Sequence, residues 1–333
     1  MKTILVTGGC GFIASNYIKF MLTKKDYLVI NLDKLTYAAN KEYLRDIENN
    51  ANYLFYKGDI CDKYLVEKIF TNHNIDYVVN FAAESHVDRS FLSSETFFKT
   101  NVLGTLNLLE TAKKFWKDFS KHKFIQISTD EVYGESECEC DESSKLNPTS
   151  PYSSSKASAD LLCLSYFSSF AFPVTITRSS NNYGKNQHPE KLIPKLMVSL
   201  ISNEKFFIHG GGNQLRDWLN VNDNICAINL VLEKGKAGEI YNISAKNEIS
   251  VNDVAEKVIK LVSQKLNKDC SLLVEKKGDR LYNDSRYNIS NSKIVALGFK
   301  PQANFDSELN DIFSYYYNNI DYYYKKLKQE SSF

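Results

Sequence analysis

At 333 residues the chain is long enough for about two domains, or for one large doubly wound domain with an appended lobe, and 43% hydrophobic residues can fill a sizeable core. Forty-one Lys and Arg against 40 Asp and Glu leave a net charge of +1, which gives no global pull toward nucleic acid or a membrane surface. The seven cysteines are odd in number and scattered without a C-x-x-C pair, so they read as reduced thiols in a cytoplasmic setting, with no metal site expected even at Cys138-x-Cys140.

Residues 3–7 (TILVT) form a short β-branched run that ends in Gly8-Gly9-Cys10-Gly11 and passes into helix-compatible sequence to about Leu22. This opening is too short for a signal peptide, and no later stretch approaches the roughly 18 apolar residues of a membrane span. Comparable apolar runs recur at 27–32, 53–57, 76–81, 123–128 and 173–178, separated by segments long enough for crossover helices. Runs without strict alternation fit strands buried on both faces of a parallel sheet, and their alternation with helices predicts a doubly wound α/β (Rossmann) fold. After about Ser179 the pattern becomes irregular. Residues 1–180 are therefore assigned to a dinucleotide-binding domain carrying the catalytic residues, and 181–333 mainly to a smaller α/β substrate lobe, some of whose segments can return to the first sheet. The tyrosine-rich tail from Tyr315 to Tyr324 reads as a last amphipathic helix packed on the body.

Gly8-x-x-Gly11-x-x-Ala14 follows a strand and opens a helix, the context in which such a spacing binds a pyrophosphate through backbone N–H groups. Asp33 closes the second strand, where a carboxylate can hold an adenosine ribose; it favours NAD over NADP, although Lys34 lies beside it. Asp59 and Ile60 follow the third strand, where Asp59 is either an adenine-side contact or an ordinary helix cap.

Thr129-Asp130-Glu131 follows the fifth apolar run, and Tyr152-x-x-x-Lys156 places a phenol and an ammonium one helical turn apart. A lysine beside the phenol favours its ionised form, which suits removing a proton from an alcohol during hydride transfer. Alcohol oxidation needs no second acid and base. Elimination of water needs both, so the chain reads as an oxidoreductase that also dehydrates.

With TGGCGFIAS (7–15), FAAESHVDRS (81–90), STDEVYGE (128–135), PYSSSKA (151–157), NNYGKNQHPEKLIPK (181–195) and GNQLRDWLNVND (212–223) in view, the chain resembles the extended short-chain dehydrogenase/reductases, and within them the nucleoside-diphosphate-glucose 4,6-dehydratases. The resemblance runs nearly end to end. It implies NAD bound at Gly8, Gly11, Phe12, Ile13, Asp33, Lys34, Asp59, Ile60, Ala82, Ala83, Ser85, Thr100, Tyr152 and Lys156. It implies catalysis by Thr129, Asp130, Glu131, Tyr152 and Lys156, with Asp130 protonated as the acid and Glu131 as the base. It implies a nucleotide sugar held by Ser85, Thr129, Asn181, Lys191, Leu192, Arg216 and Arg286. Taken alone, each of the two arginines would be a solvated or salt-bridged surface residue. AESHVDRS and SNNYG resemble the enzymes of dTDP-glucose; GFIAS, IHGGG (208–212) and the Asn283-Asp284-x-Arg286-Tyr287 segment resemble those of UDP-glucose. UDP-glucose is the expected substrate, with dTDP-glucose the alternative; a 4-epimerase and a non-catalytic dinucleotide sensor are the competing classes. The resemblance also implies a homodimer packed through the segments 94–117 and 151–169, where Phe98, Leu106, Leu109, Leu161, Leu164 and Phe167 are either interface or core.

Overall fold

The computed structural model describes residues 1–278 and 284–330. Its first half winds as β1 (Lys2–Thr7), α1 (Phe12–Thr23), β2 (Tyr27–Asp33), β3 (Tyr53–Lys57), α2 (Lys63–Asn72), β4 (Tyr77–Asn80), α3 (Val87–Leu92), α4 (Ser94–Phe98), α5 (Thr105–Phe115), β5 (Lys123–Thr129), α6 (Pro151–Phe170) and β6 (Val174–Ser179). The second half adds β7 (Asn181–Tyr183), α7 (Leu192–Ile201), β8 (Phe206–His209), β9 (Leu215–Asn220), α8 (Val221–Lys234), β10 (Ile240–Ile243), β11 (Glu248–Ser250), α9 (Val251–Leu266), β12 (Val274–Lys277), α10 (Ser292–Ala296), α11 (Phe305–Asn318) and α12 (Ile320–Glu330).

Seven parallel strands form the central sheet in the order β10-β6-β5-β4-β1-β2-β3. The six runs read from sequence are six of these strands. The seventh, β10, comes from the stretch assigned to the second lobe, and α8 packs with α1 on the same side of the sheet. Strand order reverses between β1 and β4, which opens a crevice at the carboxyl ends of those strands. Ile4, Leu5 and Val6 are wholly buried in β1, as are Val78 and Val79 in β4, as expected for a sheet covered on both faces.

The remaining strands make two small sheets, β11-β9-β7 and β12-β8. Beside them a separate core joins α7, α9, α11 and α12, with Leu196, Met197, Val258, Ile312, Tyr316 and Tyr323 at its centre. The tyrosine-rich tail therefore folds as two helices, and its rings are largely internal. Of the apolar positions in 94–117 and 151–169, Leu109 is buried in the sheet core and Leu106 and Leu164 pack against that core. Phe98, Leu161 and Phe167 are exposed. No helix among the described residues is long and apolar enough to cross a membrane.

Candidate active site

A cavity of about 320 Å³ lies at the strand-order reversal. Gly8, at its floor, has φ +66°, and a Cβ there would stand 2.8 Å from Ala82 Cα, so neither the conformation nor the space admits a side chain. Gly11 N donates to Gly8 O (3.0 Å), closing the turn. Gly11 then starts α1 with no side-chain cap, leaving first-turn N–H groups available to an anion. Ala14, 2% exposed, keeps the helix against the sheet. Phe12 and Ile13 line the cavity with them.

Asp33 closes β2, and its carboxylate accepts from Cys10 N (2.8 Å) and Leu35 N (2.7 Å). Burial raises its pKa despite these two donors, and each oxygen, with one protein donor, has capacity for another at the cavity that Asp33 lines. The Lys34 ammonium is tied to Asp59 at 2.8 Å, which removes it as a free partner for a 2′-phosphate. Asp59 also accepts from Cys61 N (2.9 Å), while the cap of α2 is Asp62, bound to Leu65 N (3.0 Å). Asp59 is thus not the helix cap. With Ile60 it forms the wall opposite Ala82, Ala83 and Ser85, and Thr100 joins them from a π-helical turn, Lys99–Gly104. Uncapped helix end, glycine cradle and ribose-height carboxylate together fit a dinucleotide.

The five catalytic candidates all line this same cavity. Thr129 ends β5, and its side-chain oxygen accepts from Glu131 N (3.3 Å) and donates to Asp130 (3.2 Å). A capping box between Ser150 and Ser153, with Pro151 at the first helical position, starts α6 immediately before Tyr152. Tyr152, Lys156 and Asp160 then follow at intervals of one turn.

The electrostatics separate the carboxyl groups. Burial, the neighbouring Glu131 and then Asp217 push Asp130 up to about 8, so it is protonated at neutral pH. Burial raises Glu131 as well, but Lys191 and Arg216 pull it back. Both carboxyl groups are therefore held above their ordinary range, with cations opposing the rise at Glu131.

The phenol departs from expectation. Tyr152 is held above its ordinary value by burial and by the charge of Glu131, with Thr129 acting in the opposite direction. Lys156 Nζ donates to Ile127 O at 2.6 Å, and burial lowers the ammonium to about 8 although Asp160 supports it. The expected acidification of Tyr152 by Lys156 is therefore not present in this geometry, because the ammonium is directed at a backbone carbonyl.

Among the sugar-nucleotide candidates, Ser85, Thr129, Asn181 and Lys191 line the cavity. Asn181 Oδ1 is buried without a protein partner, and Lys191 Nζ donates to Ser85 O (3.1 Å). Leu192, Arg216 and Arg286 are outside the wall. Leu192 opens α7. Arg216 donates to Asp284 O (2.6 Å) and stacks over Tyr287 at 4.7 Å, yet is close enough to stabilise both catalytic carboxylates. Arg286 is engaged by Glu248 through two bonds of 2.8 and 2.6 Å. Asn283 lies outside the described residues.

Several wall residues had no sequence signal of their own. Glu84, Gln187, His188 and Glu190 line the cavity, with Glu190 Oε2 3.8 Å from His86 Nε2 and 3.7 Å from His188 Nδ1. Burial, with Lys326, Lys191 and Arg89 nearby, lowers His188 to about 3, so its contact with Glu190 is not an ion pair at neutral pH. Asn101 positions the 82–85 loop: it accepts from Glu84 N (2.8 Å) and donates to Glu84 O (3.1 Å) and to Ser155 on α6 (2.8 Å).

A family model described as GDP-mannose 4,6 dehydratase matches residues 5–312. The chain is 43% identical to the dTDP-glucose 4,6-dehydratase of Haemophilus influenzae over 96% of its length and 99% of the relative's. It is 44% identical to the human dTDP-D-glucose 4,6-dehydratase over 96% and 91%. The structure of the Streptomyces venezuelae dTDP-glucose 4,6-dehydratase, solved with NAD and TYD bound, superposes with a TM-score of 0.90 at 37% identity, covering 97% of this chain and 99% of that one.

Proposed function

The chain belongs to the GDP-mannose 4,6-dehydratase family and is an NAD-dependent nucleotide-sugar 4,6-dehydratase, and from that premise we propose that its substrate is dTDP-glucose, converted to the 4-keto-6-deoxy sugar nucleotide and water. The observation that carries the dehydration is the buried pair Asp130 and Glu131: burial and the Glu131 charge keep a proton on the first, while Lys191 and Arg216 partly offset the burial that raises the second.

When bound, the dinucleotide supplies a reversible hydride acceptor, so no net redox change accumulates. Tyr152 takes the proton of the glucose 4-hydroxyl, and Thr129 hydrogen-bonds the same oxygen. Lys156, one turn along α6, is held on Ile127 O at the same cavity wall. The resulting 4-ketone acidifies the C5 proton, which Glu131 removes while Asp130 protonates the departing C6 hydroxyl as water. Hydride then enters at C6 and a proton at C5. Asn181 and Lys191 provide an amide and a cation along the same wall for the nucleotide diphosphate. The working unit is a homodimer packed through α4, α5 and α6.

The preference for UDP-glucose drawn from sequence gives way here, because the relatives similar over nearly the whole chain carry dTDP-glucose in their names. One of its marks does not touch the site. The IHGGG turn is not part of the cavity wall, and at Gly212 a Cβ would meet the Asn252 side chain at 2.2 Å, a local packing constraint. A thymine methyl is worth only about 1–3 kcal/mol of discrimination.

The test supplies dTDP-glucose and UDP-glucose separately and compares kcat/KM for the 4-keto product; a preference for UDP-glucose would reverse the assignment. Glu131→Gln should oxidise C4 and accumulate bound NADH without eliminating water. Undiminished dehydration by that variant would remove Glu131 as the base.

A further inference from the structure

Two loops that wall the cavity, 34–40 and 184–191, are widely separated in sequence, and the last two helices connect them. Asn40 N donates to Cys10 O in the glycine turn (2.9 Å), and Tyr43 follows one turn later with its N–H on Asn40 O (3.2 Å). The Tyr43 and Tyr323 (α12) hydroxyl oxygens lie 3.2 Å apart and those of Tyr323 and Tyr315 (α11) 2.9 Å apart, and Tyr315 donates to Asn186 Oδ1 (2.6 Å); with one proton on each phenol the chain of bonds runs from Tyr43 to Tyr323 to Tyr315 to Asn186. Asn186 has φ +73°, and its amide also donates to Ser15 on α1 (3.4 Å). Tyr316 donates to Gln187 O (2.9 Å), and Lys326 to Tyr37 O (3.4 Å). Tyr43 and Tyr323 are at most 6% exposed, so their hydroxyls depend on one another for hydrogen bonds.

We propose that Tyr315 and Tyr323 are positioning residues that clamp the dinucleotide site, their hydroxyls joining the adenosine-side loop and the Asn186 loop so that NAD is retained between catalytic cycles. The clamp rests on the reading of the cavity as an NAD site. A reaction that returns its hydride to the product gains nothing from releasing the cofactor, and both loops line the cavity that Gly11 and Asp33 share. The chain of hydroxyls makes that opening cooperative: parting the loops breaks bonds on α11 and α12 as well. Tyr324, also on α12, is directed elsewhere, donating to Glu204 at 2.7 Å.

The experiment loads purified protein with radiolabelled NAD and follows its release into excess unlabelled NAD for Tyr315→Phe, Tyr323→Phe and, as the control for a lost tyrosine hydroxyl, Tyr324→Phe. Release should accelerate about tenfold in the first two, the size expected from losing one buried hydrogen bond, and stay at the parent rate in the third. Parent-like release from both clamp variants, or equal acceleration in all three, overturns the clamp. Thermal melts without NAD report any general loss of stability. If a variant folds poorly, hydrogen exchange on the unaltered protein decides: NAD should protect residues 315–323 together with 36–43 and 184–190, whereas protection confined to the loops overturns the proposal. Absence of any NAD binding would instead remove the dinucleotide reading on which the clamp rests.

Discussion

Asp130 and Glu131 are adjacent in sequence and assigned opposite protonation states, and the cause is the order in which they meet their neighbours. Asp130 faces Glu131 and Asp217 in a buried site, while Glu131 faces Lys191 as well as the Arg216 that both share, with Asp284 opposing them. The two groups interact and titrate as a pair, Lys191 and Arg216 favouring the charge on Glu131. Dehydration should therefore rise with pH as Glu131 ionises, above the ordinary glutamate range. It should fall as pH passes about 8, where Asp130 loses its proton and Lys156 its charge. A rate profile measured with product quench and still climbing beyond that point would contradict both assignments. Asp130→Asn keeps the shape but cannot donate a full proton. It should slow elimination by about 10²–10⁴-fold while C4 oxidation, read as NADH absorbance in a single turnover, continues.

Helix α6 turns these residues into a register. Tyr152, Lys156 and Asp160 share one face, and the last of them is fixed beneath the site: Asp160 Oδ2 accepts from Ser128 Oγ and Arg178 Nε, both at 2.9 Å, and Arg178 continues to the Tyr133 hydroxyl at 2.7 Å. The pair is 0% and 2% exposed, so solvent screening does not discount it. Asp160→Asn leaves a buried guanidinium unpaired and should cost about 3–5 kcal/mol in urea denaturation, a value that surface ion pairs do not reach. A loss below about 1 kcal/mol would show that the pair does not anchor the helix. These elements also explain what was readable in the sequence. Six of the seven parallel strands were legible because burial on both faces leaves unbroken apolar runs such as TILVT and KFIQIS; β10 was not among the runs. Strands β7, β11 and β12 are only three or four residues long, and β12 carries exposed Glu275, Lys276 and Lys277, so no run marked them. The glycine turn and the Thr129–Glu131 and Tyr152–Lys156 segments were legible because each completes its chemistry within a few residues. Glu190 beside His86, Asn101 beneath Glu84 and the pairing of Arg286 with Glu248 arise only when distant loops meet.

At the scale of the whole molecule, the catalytic helix has a second face that this chain alone does not cover. Leu161 is 57% exposed and Leu103 55%, with Phe98, Phe167 and Phe170 also exposed on or next to the packed elements α4, α5 and α6. Scattered surface leucines are ordinary, but large apolar side chains gathered on neighbouring helices are the composition of an interface core. A partner docking there would press on the back of α6, one side of which carries Tyr152 and Lys156. Dimerisation and catalytic geometry should then be coupled. Leu161→Glu places a carboxylate in the proposed contact while touching no cavity residue. Sedimentation should show a dimer for the parent chain and a monomer for the variant. The parent's thermal midpoint should rise with protein concentration, because a dimer is stabilised by mass action, and the variant's should not. A parent that sediments as a monomer at micromolar concentration would assign the apolar face to some other partner and remove the coupling.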